Sequence, residues 1–333
     1  MIKTYFKYLF VSSIVCVAIV VVLVTQPLFR VPETGTAPPV DASTLKAHVR
    51  MLSEEMHPRC YDRPENLERV VRYIEGHFAA AGGRVNRQTF PDDEREYHNV
   101  IASFGPEEGP VIVVGAHYDS YGENYREPAL YTPGADDNAS GVAGLLALAE
   151  LLGRQPPERR VQLVAYCLEE PPFFGTKRMG SAVHASALHD VGDVVTAMIS
   201  LEMIGYFSDT ENSQTYPAAV MSLIYPDQGN FIGVVGRFQD ISLTRAVKAA
   251  MRGASDLPVR SISAVPLIPG IDFSDHRNYW RYDYTAVMIT DTAFYRNFAY
   301  HTEGDIADIL DYERMAKVVQ GVFAAINALA TDK

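Results

Sequence analysis

The chain has 333 residues, 47% of them hydrophobic and 21% charged, which excludes intrinsic disorder and fits one large α/β domain or two smaller ones. A formal net charge of −12 excludes a nucleic-acid binder, which needs a basic face; most of the surplus carboxylates read as solvated surface. Cys16, Cys60 and Cys167 are too few for a disulfide framework, and free thiols are the expectation, with a Cys60–Cys167 bridge left open.

Residues 1–26 read as an uncleaved signal-anchor. Lys3 and Lys7 precede an apolar run from Tyr8 to Val24, long enough to span a bilayer at the short end of the usual roughly 17–25 residues. The lysines would stay cytoplasmic and the bulk of the chain would lie outside, periplasmic or extracellular. Secretion after cleavage is the alternative, although no convincing small-x-small cleavage site follows the run. Residues 27–40 carry Pro and Gly without periodicity and read as a linker, so the globular domain is expected over 41–333.

Helical spacing covers Ala42–Met56 and Pro64–Ala81, and strands are expected at Val85–Phe90 and Asn99–Phe104, separated by an acidic turn. Val111–Ala116 is a continuous apolar run, as expected of a strand buried on both faces. After a loop rich in Tyr, Gly, Pro and Asn come helix Gly141–Leu152, strand Val161–Leu168, helix Met179–His189 and strand Val194–Leu201. This alternation is the crossover pattern of a mostly parallel α/β sheet. Phe231–Val235, a helix near Leu243–Met251, strand Thr285–Ile289 and a last amphipathic helix Tyr312–Ala330 complete the reading.

The polar residues stand at informative places. His117 and Asp119 follow the first buried strand, Glu169 and Glu170 the second, and Glu202 the third. In open α/β sheets, ligands bind outside the carboxyl ends of the strands, so these side chains should converge on one edge. Imidazole and carboxylate are zinc ligands. Two ions would need a bridging carboxylate, offered by Asp136-Asp137 at the start of the following helix, and a second imidazole, offered by His301. Of the neighbours Glu169 and Glu170, one can bind metal while the other handles the proton of a water.

The blocks Gly115-Ala116-His117-Tyr118-Asp119-Ser120, Pro133–Gly141, Glu169-Glu170, Ser200–Gly205 and Tyr300-His301-Thr302 occur in this order. As an ordered set they resemble the co-catalytic zinc aminopeptidases of metallopeptidase family 28, which also contains glutamate carboxypeptidases and glutaminyl cyclases. The resemblance runs from about Asp41 to the C-terminus. It implies a three-layer zinc exopeptidase-like sandwich: a mixed, mostly parallel sheet with helices on both faces. It also implies two zinc ions and a peptide substrate. His117, Asp137, Glu170, Glu202 and His301 would be the metal ligands, with Asp137 bridging and its peptide bond to Asn138 cis. Asp119 would orient His117, and Glu169 would be the general base.

Two features depart from the family. Glu202 stands where Asp is commoner, which lengthens one ligand arm by a methylene. Glu169-Glu170 is followed by Pro171-Pro172-Phe173-Phe174 instead of a glycine-led turn, and the phenylalanines either wall the cleft or pack. His276 and Tyr300 are candidate substrate contacts, and Tyr118, Tyr121, Tyr125 and Tyr131 form an aromatic loop that could shape a pocket. The expected activity is hydrolysis of N-terminal peptide bonds. The alternatives are a glutaminyl cyclase, which would carry Trp beside the last histidine where this chain has Tyr300, and a non-catalytic ectodomain with the same fold.

Overall fold

A computed structural model of the chain describes residues 2–28, 37–92, 95–123 and 128–331, with residues 2–9 described by backbone alone. Most of the expected linker, Asp93-Glu94 of the acidic turn, and Tyr125 lie outside the described residues.

In chain order the elements are α1 (Ile2–Thr25), α2 (Ala42–Arg50), α3 (Pro64–Ala80), β1 (Arg84–Asp92), β2 (Arg95–Phe104) and β3 (Val111–His117). A hairpin of β4 (Gly122–Glu123) and β5 (Leu130–Tyr131) precedes α4 (Gly141–Arg154), β6 (Arg160–Tyr166), α5 (Gly180–Asp190) and β7 (Val195–Glu202). Then come β8 (Ile232–Arg237), α6 (Ile241–Ala254), β9 (Val259–Ala264), α7 (His276–Trp280), β10 (Ala286–Thr290) and α8 (Tyr312–Thr331).

Eight strands form one sheet in the order β1-β2-β6-β3-β7-β10-β8-β9. The four central strands, β6, β3, β7 and β10, are parallel to one another. β2 joins β6 antiparallel on one side, and β8 joins β10 antiparallel on the other. The carboxyl ends of β6, β3, β7 and β10 therefore share one edge.

Alternation along the central strands builds two cores. Ile112, Val114 and Ala116 of β3 face one core, with buried residues of α2, α3, α4, α6 and α8. Val111 and Val113 face the other, where Ala185 and Leu188 of α5 and Tyr279 and Trp280 of α7 pack. Helices on both faces of a mostly parallel sheet match the expected three-layer class.

Local chemistry sets the boundaries. Asp41 caps α2 by accepting from Ser43 N at 2.9 Å, and Pro64 opens α3, where a missing N–H costs nothing. The expected helix Ala42–Met56 ends its regular part at Arg50 and finishes in a π-helical turn, Met51–Glu55. Gly115 permits the close fit of β3 on its neighbour, because a Cβ there would lie 2.1 Å from the Tyr166 ring.

Cys60 and Cys167 are buried free thiols, and Cys16 is free and exposed. On α1, Phe10, Val11, Ile14, Val17 and Val20 are exposed. Among the described residues no helix is long and apolar enough to cross a membrane. The apolar run expected to do so begins at Tyr8, and the side chains of residues 1–9 lie outside the description.

Candidate metal centre

Strand ends deliver three of the five candidate ligands and the candidate base, and loops deliver the other two ligands. His117 is the last residue of β3 and Glu202 the last of β7; Glu169 and Glu170 follow β6 by three and four residues. The turn before α4 supplies Asp137, and the segment between β10 and α8 supplies His301. All but His301 are buried, and its side chain is 22% exposed.

The geometry centres on Asp137. Its Oδ1 lies 3.3 Å from His117 Nε2, and its Oδ2 lies 3.2 Å from His301 Nε2. Glu202 Oε2 stands 3.5 Å from His117 Nε2, and Glu170 Oε2 stands 3.3 Å from His301 Nε2. Two groups result, His117–Asp137–Glu202 and Asp137–Glu170–His301, each with ligand atoms within 4.8 Å of one another. Asp137 belongs to both, one carboxylate oxygen facing each group. The buried atoms His117 Nε2, His301 Nε2 and Glu170 Oε1 have no hydrogen-bond partner among the described residues. Polar atoms left so in a dry interior fit a metal ion, and imidazole with carboxylate fits zinc.

Asp119 is tied to this centre differently from the expectation. His117 Nδ1 donates to the main-chain carbonyl of Asp119 at 3.1 Å, while the Asp119 carboxylate sits 3.6 Å away. That carboxylate instead accepts from Glu169 N at 3.2 Å and Glu170 N at 3.1 Å. Asp119 thus fixes the turn that carries both glutamates. Glu169 Oε2 lies 3.9 Å from His117 Nε2, beside the first group. Burial pushes the Glu169 carboxyl well above its usual range; His117 opposes the shift, and Glu202 and Glu170 add to it. A carboxyl so disfavoured as an anion is suited to taking up a proton.

Further residues support the centre, and of these Arg59 and Asp305 carried no signal in the sequence. Ser274 Oγ donates to Glu202 Oε2 at 2.7 Å and receives the Ser200 hydroxyl at 2.8 Å. Asp305 accepts from Asp136 N and Asp137 N at 2.9 and 3.1 Å. Asn138 donates to Leu201 O at 2.8 Å and accepts from Gly141 N and Met203 N, tying the Asp137 turn to the end of β7. The Asp137–Asn138 peptide is cis. Fully buried Arg59 donates to the carbonyls of Leu52, Tyr118, Pro133 and Gly134, clamping the loops on either side of the centre. Asp136 turns away from the site: it accepts from Gly205 N at 3.0 Å and from Asn297 Nδ2 at 2.9 Å.

His276 is not at the centre. Its Nε2 donates to Ile271 O at 2.8 Å and its ring packs edge-on against Trp280, 4.5 Å between centroids. The stretch Ser274-Asp275-His276 meets the site through Ser274 instead, because α7 begins at His276 and turns that ring into the core. Tyr300 does reach the site. Its ring stacks on His301 at 3.7 Å, and Tyr121 stacks on the other side at 4.1 Å, so the imidazole is held between two phenols. Phe173 is buried in packing against Tyr61 and Tyr97. Phe174 lies against Phe273, which lines the cleft described next.

An open cleft adjoins the centre and shares Glu202 and Tyr300 with it. Its walls are mainly apolar and aromatic, among them Ile262, Phe273, Met288 and Phe294.

The model of peptidase family M28 matches residues 99–326, more than half of the chain. The chain belongs to peptidase family M28. It is a metallopeptidase of that family, with the mixed α/β sheet of the zinc exopeptidase fold. An uncharacterized protein of Escherichia coli K12, YfbL, is 53% identical over 282 residues, spanning 85% of this chain and 86% of that protein. Leucine aminopeptidase 1 of Uncinocarpus reesii is 27% identical over 77% of this chain. The match spans only 61% of that fungal protein's length. Among solved structures, LapB of Legionella pneumophila superposes with a TM-score of 0.69 at 20% identity, covering 88% of this chain and 73% of LapB. A glutaminyl cyclase of Bacteroides thetaiotaomicron superposes at 0.66 and 20%, covering 90% of this chain and all of the cyclase. The fold alone therefore does not choose between hydrolysis and cyclisation.

Proposed function

We propose that the chain is a zinc-dependent aminopeptidase with two metal positions bridged by Asp137. The observation that carries this reading is the placement of the two Asp137 oxygens, one toward His117 and one toward His301. His117 and Glu202 would complete one position, and Glu170 and His301 the other. Bound zinc supplies Lewis acidity to a carbonyl oxygen and to a water in the same pocket. Glu169 takes the proton of the attacking water and hands it to the leaving amine as the peptide bond breaks. Asp119 holds Glu169 and Glu170 in register through their backbone amides. The adjoining apolar cleft receives the side chain of the N-terminal residue, which favours large apolar and aromatic residues over charged ones.

No feature of the site favours the cyclase reading. Trp280, the only tryptophan of the chain, donates its indole N–H to Ala286 O and packs in the core. Tyr300 stands beside the last histidine.

The run Tyr8–Val24 with Lys3 and Lys7 before it supports α1 as an uncleaved anchor, with residues 41–333 extracytoplasmic. A secreted form would need a cleavage site close after the run, and Thr25-Gln26-Pro27 does not offer one.

The test is the detergent-purified full chain with zinc, assayed on leucyl, phenylalanyl, lysyl and aspartyl amides and on N-acetylated leucyl amide. Turnover of the first two, no turnover of the acetylated substrate, and loss of activity in Glu169→Gln with zinc still bound are expected. Full turnover by Glu169→Gln overturns the proposed mechanism. Ammonia release from an N-terminal glutaminyl peptide without release of an amino acid overturns it in favour of the cyclase.

A further inference from the structure

Helix α1 does not leave the domain freely. Its last carbonyls are docked: Lys248 Nζ donates to Thr25 O at 2.7 Å and to Gln26 O at 3.1 Å. A cation at a helix C-terminus meets the negative end of the macrodipole. Ser261 of β9 binds the same point, its hydroxyl donating to Thr25 O at 2.7 Å. The root of α1 is therefore pinned on the edge strand of the sheet.

The surface around that root has an unusual composition for an acidic protein. Arg245 and Arg252 stand on α6, at spacings of three and four from Lys248, and so share its helical face. Arg260 precedes Ser261. All three arginines are exposed, and none takes part in an ion pair among the described residues. Their charges reach Lys248: burial first, then Arg260, Arg252 and Arg245, bring its pKa down to about 8. This basic cluster stands out against a net charge of −12.

Apolar side chains crowd the same place. Tyr225 Oη donates to Ser261 O at 2.7 Å, which brings the short helical turn Ala219–Leu223 to the root of α1. On it Val220 is 62% exposed and Leu223 84%. In the loop after β9, next to Ile268, Leu267 is 92% exposed. Met221, Tyr225, Arg260, Ser261 and Ile268 all line the cleft that reaches Glu202. Exposed leucines together with unpaired arginines are the pattern of a surface that lies at a membrane interface.

We propose that this face is a bilayer-contact surface: Arg245, Arg252 and Arg260 meet anionic phospholipid headgroups, while Leu223 and Leu267 enter the interfacial layer beside α1. The inference rests on the anchor reading of α1 and goes beyond it. An anchor alone does not say which face of the domain meets the bilayer, whereas this surface fixes that face. The substrate cleft then opens at the membrane plane, nearest to peptide N-termini presented there.

The full chain carrying Cys16→Ser leaves only the buried Cys60 and Cys167 as native thiols. In that background Leu223→Cys, Leu267→Cys and, as a control, Val191→Cys are labelled with an environment-sensitive fluorophore. Val191 precedes the start of β7, whereas Ser261 is level with Leu201 near its end, so the control lies toward the opposite edge of the sheet. The labelled chains are reconstituted into phosphatidylcholine vesicles with and without phosphatidylglycerol. A blue shift at 223 and 267 in the anionic vesicles, none at 191, and loss of the shift in Arg245→Glu/Arg252→Glu/Arg260→Glu are expected. Flotation with the vesicles but no shift at 223 or 267 overturns the contact surface and leaves the anchor standing. Failure to float at all overturns the anchor, and the surface with it.

Discussion

The Ser274 hydroxyl donates to Glu202 Oε2 at 2.7 Å, and its own oxygen accepts from Ser200. Glutamate in place of the commoner aspartate adds a rotatable bond, and this hydroxyl relay removes the freedom that bond introduces. It also leaves Glu202 presenting one oxygen toward His117 Nε2 at 3.5 Å. A partner that orients a ligand is typically worth about 10- to 100-fold in metal affinity. Ser274→Ala is therefore expected to weaken zinc at the His117 side by at least about tenfold. Titration calorimetry should show one of two sites weakened and the other unchanged; two unchanged sites would remove the role given to Ser274.

Asp119→Asn tests the turn that carries Glu169 and Glu170. The carboxylate now receives two backbone N–H donors, one on each oxygen. An amide offers one oxygen, so one buried N–H loses its acceptor, at a cost of about 1–3 kcal/mol. The expected outcome is a fall in kcat of about tenfold or more with KM little changed, since Glu169 is misplaced while the cleft is not. A change confined to KM would count against this placement.

His301 adopts a left-handed backbone, φ 55°, and its imidazole lies between Tyr121 and Tyr300. The ring's plane is thus set by stacking rather than by a hydrogen bond. Tyr121→Leu is expected to lower zinc affinity at the Glu170–His301 side, and Tyr121→Phe to restore it, because the aromatic face does the holding. Equal affinities for both variants would show that the clamp is dispensable.

The sequence was most informative about what sits at strand ends. Continuous apolar runs mark strands buried on both faces, so the positions of His117, Glu169-Glu170 and Glu202 relative to the sheet follow from period alone. The choice of Asp137 needed the family resemblance, because nothing local distinguishes it from Asp136. The structure separates them by partners, with Asp136 bound to Gly205 N and Asn297 and Asp137 facing two imidazoles. β9 was missed because Val259–Ala264 alternates with serine and arginine on an edge and never makes an apolar run. His276 was misplaced for a different reason: the two-residue step from Ser274 to the helix start at His276 decides which side chain faces the metal centre. Arg59, Ser274 and Asp305 act through contacts distant in sequence, which no local pattern reveals.

The proton content of the metal-free form gives the last prediction. Burial opposes a charge on His301, but Glu170 and Asp137 outweigh it and raise the imidazole's pKa to about 10. Burial, with Asp137 adding to it, raises Glu170 to about 7. Protons thus hold the places that a cation would take, and zinc must displace them. For Glu170 the sign is clear. Its folded pKa lies above its unfolded value, so the metal-free fold gains from the bound proton at low pH and loses that gain as pH rises through about 7. The zinc-bound fold has given up the proton already and does not pay this loss. Stabilisation by zinc should therefore be greater at pH 8 than at pH 6, with one more proton released on binding at the lower pH. Thermal unfolding with chelator and with zinc at both pH values measures the difference directly. A gain in melting temperature that shrinks on going to pH 8 would rule out a proton on Glu170 as zinc's competitor.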